Sequence, residues 1–553
     1  MVLLTVFFRI FQFVFNYGAM VLPWRKAIRI EGAGCIGELP RLLGENGAVK
    51  PLVVTDPGLV KAGIASKLTG VLEKSGVAFV MYSEVEANPS VNTVNKVFEL
   101  YRSSGCDSFI SLGGGSAMDA AKAAAARTAR PRKSVNQMGG LLRVLKRLPF
   151  LVAVPTTAGT GSETTIAALI TDTETHHKYA IMDLNLIPKY AVLDPELTVG
   201  LPPAITAATG MDALTHAVEA YLCWTYGTKE SIGFAVDAVK AIFEYLPRVY
   251  KNGSDIEARQ AMLIASYKAG FAFTRAGVGN IHAIAHTLGG LYNTPHGLAN
   301  AVILPLVLDD YGKKVWKKLA RLAEAAGVSP SAASTDEEKA RAFIRAIYEM
   351  NVKMGHPRGF DFIKTEDIEQ ITKWAYRESN PLYPVPVVYS HARFRKVVEL
   401  LGANAGKSGK SYRIDEKCTG CTACARLCPV FAITPLPGSA ERGKRHEINP
   451  LRCVECGVCG RICPEGAVSD AGGTICTAVK RSLWQRPRID AKVCSACGIC
   501  VQDCGPRALS ISMPAFRGDI AVHAELSAPS KCVGCGICEK HCPLGAIVME
   551  APQ

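Results

Sequence analysis

The sequence predicts a multidomain protein in which an α/β domain with a mainly parallel sheet precedes an all-α domain and two small α+β modules. Three patterns predict it: β-rich apolar runs alternate with helical segments up to residue 200, helical patterning continues to residue 404, and one cysteine spacing recurs beyond residue 411. Hydrophobic residues make up 48% of the 553 residues and charged residues 20%, which excludes a disordered or fibrous chain. The predicted divisions are residues 1–28, 29–200, 201–404, a linker at 405–411, 412–475 and 476–553.

Residues 1–24 form an unusually apolar segment that is almost long enough to span a bilayer. The segment has no basic stretch at its start and carries Arg9 inside the apolar run, so it does not fit a secretory signal. On a helix Arg9, Gln12 and Asn16 fall away from a side that is largely shared by Phe7, Phe8, Phe11, Phe15 and Met20. We expect a helix that packs on the protein, with peripheral contact to a membrane surface or a true membrane span as the alternatives.

Residues 29–200 are expected to form the α/β domain because apolar runs rich in β-forming residues alternate there with helical segments. The predicted strands are PLVVTD at 51–56, VAFVMY at 77–82, DSFISL at 107–112, FLVAVP at 150–155 and YAVLDP at 190–195.

Two loops rich in glycine and hydroxyl groups follow strands of this predicted sheet. Residues 113–116 (GGGS) stand between a strand and the helical stretch AMDAAKAAAA, and residues 156–163 (TTAGTGSE) follow the next strand. Free N–H groups and the dipole at a helix N-terminus favour a phosphate, and glycine lets it approach closely. Either loop alone also fits an ordinary turn with a Ser or Thr cap, but two loops in one sheet indicate a dinucleotide site.

Asp56 lies at the carboxyl end of an early predicted strand. A carboxylate at this position accepts hydrogen bonds from an adenosine ribose and repels a 2′-phosphate, so it favours NAD over NADP. The alternative is that Asp56 is only a turn residue.

The helical domain carries a concentration of potential metal ligands. Asp212 and His216 are four residues apart on one predicted helix, His282 and His286 repeat that spacing, and His296 follows soon after. A single Asp-x-x-x-His pair is often only a hydrogen bond on a helix surface. The combination of a carboxylate with several imidazoles in an apolar helical region instead indicates a divalent ion, Fe(II) or Zn(II), which the spacing cannot distinguish.

At this point the sequence resembles the iron-containing, group III alcohol dehydrogenases over roughly residues 25–400. The matching motifs occur in the family's order. They are GGGSAMDAAK at 113–122, PTTAGTGSE at 155–163, DPELT at 194–198, GMDALTHAVEAY at 210–221 and GNIHAIAHTLGGLYNTPHGLANAVILP at 279–305.

The resemblance implies a Rossmann-like NAD-binding domain and a helical metal-binding domain of the dehydroquinate synthase-like type, with the active site in the cleft between them. It makes Asp212, His216, His282 and His296 the metal ligands. It makes His286 a catalytic residue that lines the substrate site and relays a proton. The implied cofactor-binding residues are Asp56, Gly113, Gly114, Gly115, Ser116, Asp119, Thr156, Thr157 and Thr160.

The implied reaction is hydride transfer between a small alcohol or aldehyde and NAD. The metal acts as a Lewis acid that lowers the pKa of the alcohol, or polarises the aldehyde carbonyl in the reverse direction. A zinc-dependent polyol dehydrogenase is one alternative, although the four-ligand pattern argues against it. A homo-oligomer is expected.

Beyond the linker, the spacing Cys-x-x-Cys-x-x-Cys-x-x-x-Cys occurs four times. This resembles two tandem bacterial-type ferredoxin modules, each holding two [4Fe-4S] clusters, whereas tetrahedral zinc sites need no such run. In such ferredoxins the fourth cysteine of each run binds the other cluster of its module. The implied sets are Cys418, Cys421, Cys424 and Cys463 (cluster 1); Cys453, Cys456, Cys459 and Cys428 (cluster 2); Cys494, Cys497, Cys500 and Cys542 (cluster 3); and Cys532, Cys535, Cys538 and Cys504 (cluster 4).

One repeat departs from the ferredoxin pattern. Proline usually follows the fourth cysteine directly, but after Cys504 the chain reads Gly505-Pro506. The remaining cysteines stand alone and are interpreted as small buried apolar residues. They are Cys35, Cys106, Cys223 and Cys476.

The formal net charge of +14 would ordinarily suggest a nucleic-acid partner. Sixteen thiolates bound in four clusters of core charge 2+ would reduce it to about +6, so no nucleic-acid partner is expected. The repeated cysteine spacing is unlike a disulfide framework and predicts a reducing, anaerobic cytoplasm, with membrane association through residues 1–24 as the alternative.

A hydride carries two electrons whereas each cluster accepts one, so a flavin normally stands between a nicotinamide and a cluster chain. The sequence has no motif that argues for a flavin. We therefore expect either a flavoprotein or ferredoxin partner that docks on the cluster modules, or clusters that do not exchange electrons with the bound NAD. A second functional hypothesis is an electron carrier that uses the dehydrogenase half as a docking or sensing scaffold.

Overall fold

The computed structural model describes residues 2–172, 177–403, 411–436, 445–450, 452–514, 516 and 521–551. Apart from residue 411, the linker predicted at 405–411 lies outside the described residues. The chain forms two compact units. The first comprises residues 1–356 and 362–402, and the second comprises residues 357–361 and 403–553. A short segment from inside the predicted helical domain thus belongs to the C-terminal unit.

The α/β lobe of the first unit is built on a six-stranded parallel sheet, with strand order β1-β9-β6-β4-β2-β3. A smaller sheet pairs β5 with β8 in parallel and β8 with β7 in antiparallel orientation. The strands are β1 (Ile28–Glu31), β2 (Pro51–Val54), β3 (Val80–Tyr82), β4 (Ser108–Gly113), β5 (Gly140–Leu141), β6 (Phe150–Pro155), β7 (Ala167–Asp172), β8 (His177–Met182) and β9 (Tyr190–Leu193). The helices are α2 (Leu39–Glu45), α3 (Pro57–Lys61), α4 (Ile64–Lys74), α5 (Val91–Ser103) and α6 (Gly115–Ala129).

The central strands β2, β4 and β6 are largely apolar and almost completely buried, as expected where both faces of a sheet are covered. Leu52 and Val54 pack into one core and Val53, between them, packs into the other. The five predicted strands correspond to β2, β3, β4, β6 and β9, but β3 begins at Val80, later than the run at 77–82 suggested.

The second lobe of the first unit is helical, and no strand lies within its described residues. Its helices are α7 (Pro203–Leu222), α8 (Lys229–Lys251), α9 (Ile256–Ala276), α10 (Asn280–Tyr292), α11 (His296–Tyr311), α12 (Trp316–Ala325), α13 (Asp336–Lys353), α14 (Ile368–Ser379) and α15 (His391–Ala403). Helix α7 is buried along most of its length, which suits its continuous apolar sequence.

The N-terminal helix α1 (Val2–Met20) packs on the helical lobe through polar groups. Arg9 Nη1 donates to Val385 O at 2.8 Å, and Gln12, which is fully buried, donates from Nε2 to Tyr383 O at 2.7 Å. The outward side of α1 is apolar. Its exposed residues include Leu4, Val6, Phe7, Ile10, Phe13, Val14 and Tyr17. Among the described residues, no helix combines the length and the hydropathy that a membrane crossing needs.

The second unit contains two modules, each closed by its own antiparallel strand pairs. In the first, β10 (Arg413–Ile414) pairs with β13 (Val468–Ser469), and β11 (Ile433–Pro435) pairs with β12 (His446–Ile448). In the second, β14 (Arg486–Ile489) pairs with β17 (Ile547–Glu550), and β15 (Ser510–Ile511) pairs with β16 (Ala524–Glu525). Each repeat also has one short helix. They are α16 (Ala423–Leu427), α17 (Val458–Ile462), α18 (Ile499–Gln502) and α19 (Ile537–Lys540).

Candidate functional site

Four of the predicted ligands converge in the helical lobe. Asp212 and His216 come from α7, His282 comes from α10, and His296 is the first residue of α11. Each offers a ligand atom within 4.8 Å of the other three. The rings of His216 and His282 stack with centroids 4.6 Å apart. The i, i+4 spacing of Asp212 and His216 thus brings both side chains to this group from one face of α7.

Burial keeps the imidazoles of this group neutral. It lowers the pKa of His216 and of His282 below the ordinary imidazole value, and it lowers the pKa of His296 to about 3. A neutral imidazole has a free lone pair, which metal binding requires. The group is therefore ready to bind a cation near neutral pH.

Glu219, one helical turn beyond His216 on α7, orients His282. Its carboxylate accepts hydrogen bonds from Gly279 N at 2.8 Å and Ile281 N at 2.9 Å, and it lies 2.6 Å from His282 Nδ1. With Nδ1 held by the carboxylate, Nε2 of His282 faces the other ligands. Burial raises the pKa of Glu219 to about 8, although its N–H donors favour the carboxylate. The sequence analysis did not identify this residue.

Asn300, fully buried on α11, is a second residue that the sequence analysis missed. Its Nδ2 lies 2.7 Å from Asp212 Oδ1 and 3.1 Å from the Nε2 atoms of both His282 and His296. Three prospective ligand atoms therefore surround one amide nitrogen. This arrangement indicates that the same atoms can converge on a small cation.

His286 lies beside this group, with its ring stacked on His296 at a centroid distance of 5.1 Å. Its Nδ1 is 2.5 Å from Glu378 Oε1 on α14, and Tyr383 Oη donates to the same oxygen at 2.7 Å. His286 is about one quarter exposed, so its ring remains accessible to a small molecule. The pair of Glu378 and His286 spans 92 residues of sequence, and no local signal could have identified Glu378.

The two glycine loops lie against each other at the carboxyl edge of the sheet. Gly113 pairs in register with Pro155, and Thr156 N donates to Gly113 O at 3.1 Å. A Cβ atom on Gly114 would lie 3.3 Å from Thr157 Oγ1, and one on Gly115 would lie 3.0 Å from Thr160 Cγ2. The absence of side chains at Gly114 and Gly115 thus favours the close approach of the two loops. Residues 113–116 lead into the N-terminus of α6, whose first turn has no acidic residue.

The other predicted cofactor residues have contacts of their own. Asp56 caps α3 by accepting from Leu59 N at 3.1 Å, and a Cβ on Gly113 would lie 3.5 Å from Asp56 Oδ2, so Asp56 is both a turn residue and a neighbour of the loop. Ser116 Oγ accepts from Asn88 N at 3.3 Å.

Asp119 is buried beneath the loops. Its oxygens accept from Ser162 Oγ at 2.9 Å and Leu169 N at 3.1 Å. Lys122, also buried, donates to Ser162 Oγ at 3.0 Å and Thr165 Oγ1 at 2.9 Å. This network fixes the second loop on α6. The role of Asp119 as a cofactor-binding residue stays a prediction.

The structure brings the sixteen repeated cysteines together in the predicted groups of four. The sets of clusters 1, 2 and 3 each line one cavity. In the fourth set, Cys504 and Cys532 lie near Cys535, which is close to Cys538. The backbone N–H four residues after each fourth cysteine donates to its sulfur, which favours an electron-rich thiolate. These donors are Ala432, Ala467, Ala508 and Ala546.

Within each repeat, the residue before the second cysteine adopts a left-handed backbone conformation. The first and fourth repeats have Gly420 and Gly534 at that position, and the third repeat has Ala496. The second repeat has Glu455, with φ at 54°. Its carboxylate pairs with Arg358 Nη1 at 2.8 Å, and Arg358 lies near enough to Cys453 to favour its thiolate. Arg358 belongs to the segment 357–361 of the C-terminal unit.

Comparisons with known proteins agree with this geometry. The models of the iron-containing alcohol dehydrogenase family match residues 28–195 and, for the C-terminal domain, residues 206–404. The chain belongs to the iron-containing alcohol dehydrogenase family. A 4Fe-4S dicluster domain matches residues 417–467, and a 4Fe-4S binding domain matches residues 528–548.

Family members with known activities and structures cover the first unit. The NAD-dependent methanol dehydrogenase of Bacillus methanolicus is 38% identical over 63% of this chain and 93% of its own length. The 1,3-propanediol dehydrogenase of Klebsiella pneumoniae is 37% identical over 62% and 89%. The solved structure of a 1,3-propanediol oxidoreductase has a TM-score of 0.66 at 33% identity, and covers 68% of this chain and 99% of its own. An Oenococcus oeni alcohol dehydrogenase has a TM-score of 0.65 at 32% identity, covering 69% and 100%.

The residues of this family member fit the cofactors that the family and the 4Fe-4S domains imply. One carboxylate and three neutral imidazoles whose ligand atoms lie within 4.8 Å suit Fe(II), and Asp212, His216, His282 and His296 would hold it. The two facing loops at the N-terminus of α6 suit the pyrophosphate of NAD. The cysteine groups suit iron–sulfur clusters.

Proposed function

We propose that this chain is an NAD- and Fe(II)-dependent alcohol dehydrogenase or aldehyde reductase, with four [4Fe-4S] clusters in its C-terminal unit. The observation that carries the proposal is the convergence of Asp212, His216, His282 and His296, of which the first three are buried. The overall reaction would be a primary alcohol plus NAD⁺ giving an aldehyde, NADH and a proton. When bound, the ion would supply Lewis-acid polarisation of the substrate oxygen.

The protein residues around this group would position the substrate and move the proton. Glu219 would hold the Nδ1 proton of His282, so that the lone pair of Nε2 is available to the metal ion. Glu378 holds Nδ1 of His286, which leaves Nε2 of that ring to accept the hydroxyl proton of the alcohol. The burial of Asp212, His216 and His282 would limit the access of water to the reacting atoms.

The α/β lobe would bind the pyrophosphate of NAD through backbone N–H groups rather than through positively charged side chains. The N–H groups of residues 113–116 at the start of α6 would bind the pyrophosphate. Thr157 and Thr160 border the same loop. Asp56, next to Gly113, would accept from the adenosine ribose and disfavour NADP.

The test combines metal analysis with turnover. His282→Ala and His296→Ala should each lose bound metal and NADH formation together, because each removes one of four ligands. His391→Ala is the control, since His391 is exposed at the start of α15 and outside the ligand group. Full activity in either ligand variant would refute the assignment, and zinc rather than iron at full activity would favour the zinc-dependent alternative.

The relation between NAD and the clusters needs a separate experiment. Full-length, iron-replete protein would be mixed anaerobically with short primary alcohols and NAD⁺ while NADH formation and cluster bleaching are followed together. Clusters that become reduced in step with alcohol oxidation would indicate an internal electron path. NADH formation with oxidised clusters would indicate that the clusters serve an external flavoprotein or ferredoxin. Absence of turnover with intact metal and clusters would favour an electron carrier with a dehydrogenase-derived scaffold.

We also propose that α1 makes peripheral contact with a membrane surface. Its polar Arg9 and Gln12 are used to bind the protein, and the side that remains is rich in aromatic and aliphatic residues. Phe7 and Tyr17 are each more than half exposed. Such a side suits the boundary between headgroups and acyl chains.

Vesicle sedimentation tests this contact. Replacing Phe7, Phe13 and Tyr17 by Ser should reduce the fraction that sediments with anionic vesicles. The matched control replaces three exposed isoleucines of the helical lobe by Ser: Ile205, Ile232 and Ile256. Equal sedimentation of both triple variants and the unsubstituted chain would contradict the proposal.

A further inference from the structure

The two cysteine-rich modules contact each other through residues next to clusters 2 and 4. A buried apolar group joins Val458, Trp484 and Val533, with Cys456 and Cys535 packed against it. Val458 and Cys456 belong to the first module and the other three to the second. Cys456 and Cys535 are also near enough to influence each other electrostatically. The module interface therefore lies between one ligand of cluster 2 and one ligand of cluster 4.

Hydrogen bonds reinforce this interface beside the same two ligands. Arg461 Nη2 donates to Cys456 O at 3.1 Å and to Gly534 O, across the interface, at 3.0 Å. Its guanidinium lies 5.2 Å from the centre of the Trp484 ring. Gly534 directly precedes Cys535. One arginine thus connects the backbone beside both clusters.

The contact between the two modules explains why proline does not directly follow Cys504. A Cβ atom on Gly505 would lie 2.0 Å from Pro429 O, which is closer than any side chain allows. Pro429 follows Cys428, the fourth ligand of cluster 2, and Gly505 follows Cys504, the fourth ligand of cluster 4. The equivalent segments of the two modules therefore meet at a point where only glycine fits.

Within each module, the paired clusters share one apolar core. Cys424 and Cys459, which serve clusters 1 and 2, are buried together. Cys500 and Cys538, which serve clusters 3 and 4, occur together in the other module. Among the described residues, no ligand of cluster 1 or 3 belongs to the apolar group at the module interface. Each of these two clusters instead has an exposed cysteine, Cys421 and Cys497 respectively.

We propose that the four clusters stand in the spatial order 1, 2, 4, 3, with clusters 2 and 4 adjacent across the module interface and clusters 1 and 3 as the two ends. This rests on the clusters that the proposed function assigns to the sixteen cysteines. One electron at a time would pass from a reduced 1+ core to a neighbouring 2+ core. At each end, an external one-electron carrier would donate or accept that electron beside the exposed cysteine.

The order differs from that of the chain, in which cluster 3 would follow cluster 2, and this difference makes it testable. The experiment is electron paramagnetic resonance of the full-length, fully reduced chain, in which neighbouring paramagnetic clusters split or broaden each other's signals. Cys532→Ala combined with Cys535→Ala removes cluster 4. In the proposed order this leaves clusters 1 and 2 coupled, and cluster 3 shows the unsplit signal of an isolated centre.

A second variant keeps every cysteine. Gly505→Val places a side chain against Pro429 O, so it should weaken coupling between clusters 2 and 4 and preserve coupling within each module. Pro543→Val is the matched control, because Pro543 occupies the same position after the fourth cysteine of the last repeat and is exposed. It should leave all couplings unchanged.

The outcomes separate the order from the cluster assignment. Iron and acid-labile sulfide corresponding to four clusters in the unsubstituted chain support the assignment, and a lower content would overturn it together with the order. With four clusters present, a cluster 3 that remains coupled after loss of cluster 4 would overturn the order alone. Full coupling between the modules in Gly505→Val would also contradict it.

Discussion

Glu219→Gln should weaken metal binding at the proposed site although Glu219 is not one of the proposed ligands. The carboxylate is buried and accepts from Gly279 N, Ile281 N and His282 Nδ1 at 2.6 to 2.9 Å. An amide of the same shape can accept through its oxygen only, so at least one buried donor faces an NH2 group. An unsatisfied buried donor costs about 1–3 kcal/mol.

The effect on metal affinity follows from the orientation of His282. Loss of a carboxylate that orients a metal-binding histidine typically weakens metal binding about 10- to 100-fold. That range equals about 1.4–2.8 kcal/mol and agrees with the cost of one unsatisfied donor. We therefore expect the dissociation constant for Fe(II) to rise within this range, with a smaller loss of kcat when metal is saturating.

The assay is competition with a chelator, followed by metal analysis and NADH formation on the same sample. Glu230→Gln is the matched control, because Glu230 pairs with Lys26 on the surface with about half of its side chain exposed. An exposed pair of this kind contributes about 0–1 kcal/mol, and it lies away from the ligands. Unchanged metal affinity in Glu219→Gln would show that the orientation argument is wrong.

Three further substitutions test the supporting networks. Lys122→Met removes a buried amine from the oxygen atoms of the second loop and leaves the nearby buried carboxylate of Asp119 without its cation, and should lower the free energy of unfolding by about 3–5 kcal/mol in denaturant titrations. Arg358→Gln should lower the midpoint potential of one cluster in a redox titration, because a cation near Cys453 stabilises the more negative reduced cluster. Glu378→Gln should lower kcat about tenfold or more with little change in metal content, because His286 loses the group that orients its ring.

Matched controls accompany these variants. Lys67→Met removes an exposed lysine that donates to Glu196 O at 3.3 Å, and should leave unfolding nearly unchanged. Arg488→Gln breaks the exposed pair with Glu550 and should not move any potential. Glu399→Gln alters an exposed carboxylate on α15 and should not affect kcat. A test variant that behaves like its control would contradict the corresponding role.

The sequence predicted the residues whose spacing is local and left out those that depend on tertiary contacts. Asp212 with His216, and His282 with His286, are visible because helical periodicity places i and i+4 on one side. Glu219 is four residues before Cys223 in an ordinary helical stretch, and its partners lie 60 to 63 residues away. Helix periodicity alone could not indicate that pairing.

In the fold, too, the sequence predicts local elements but not the features that depend on tertiary contacts. Apolar runs identify strands such as β4 and β6, but the order β1-β9-β6-β4-β2-β3 depends on how the crossovers pack, which no run encodes. The departure at Gly505 was visible in the sequence, but its reason was not. The reason is a contact with Pro429, 76 residues earlier, and only the folded modules bring the two together.

The segment 357–361 changes how the two halves of this protein can be separated. The chain enters the C-terminal unit at residue 357, leaves it after 361 and returns at 403, so the boundary is crossed three times. A protein truncated after residue 403 would keep Arg358 but lose Glu455, so a guanidinium that is 3% exposed would lose its contact with that carboxylate. Isolated cluster modules would have the opposite deficit, with Glu455 in a left-handed conformation and no counterion. Neither fragment reproduces the corresponding half of the intact enzyme, so redox and kinetic constants measured on fragments will not add up to those of the whole chain.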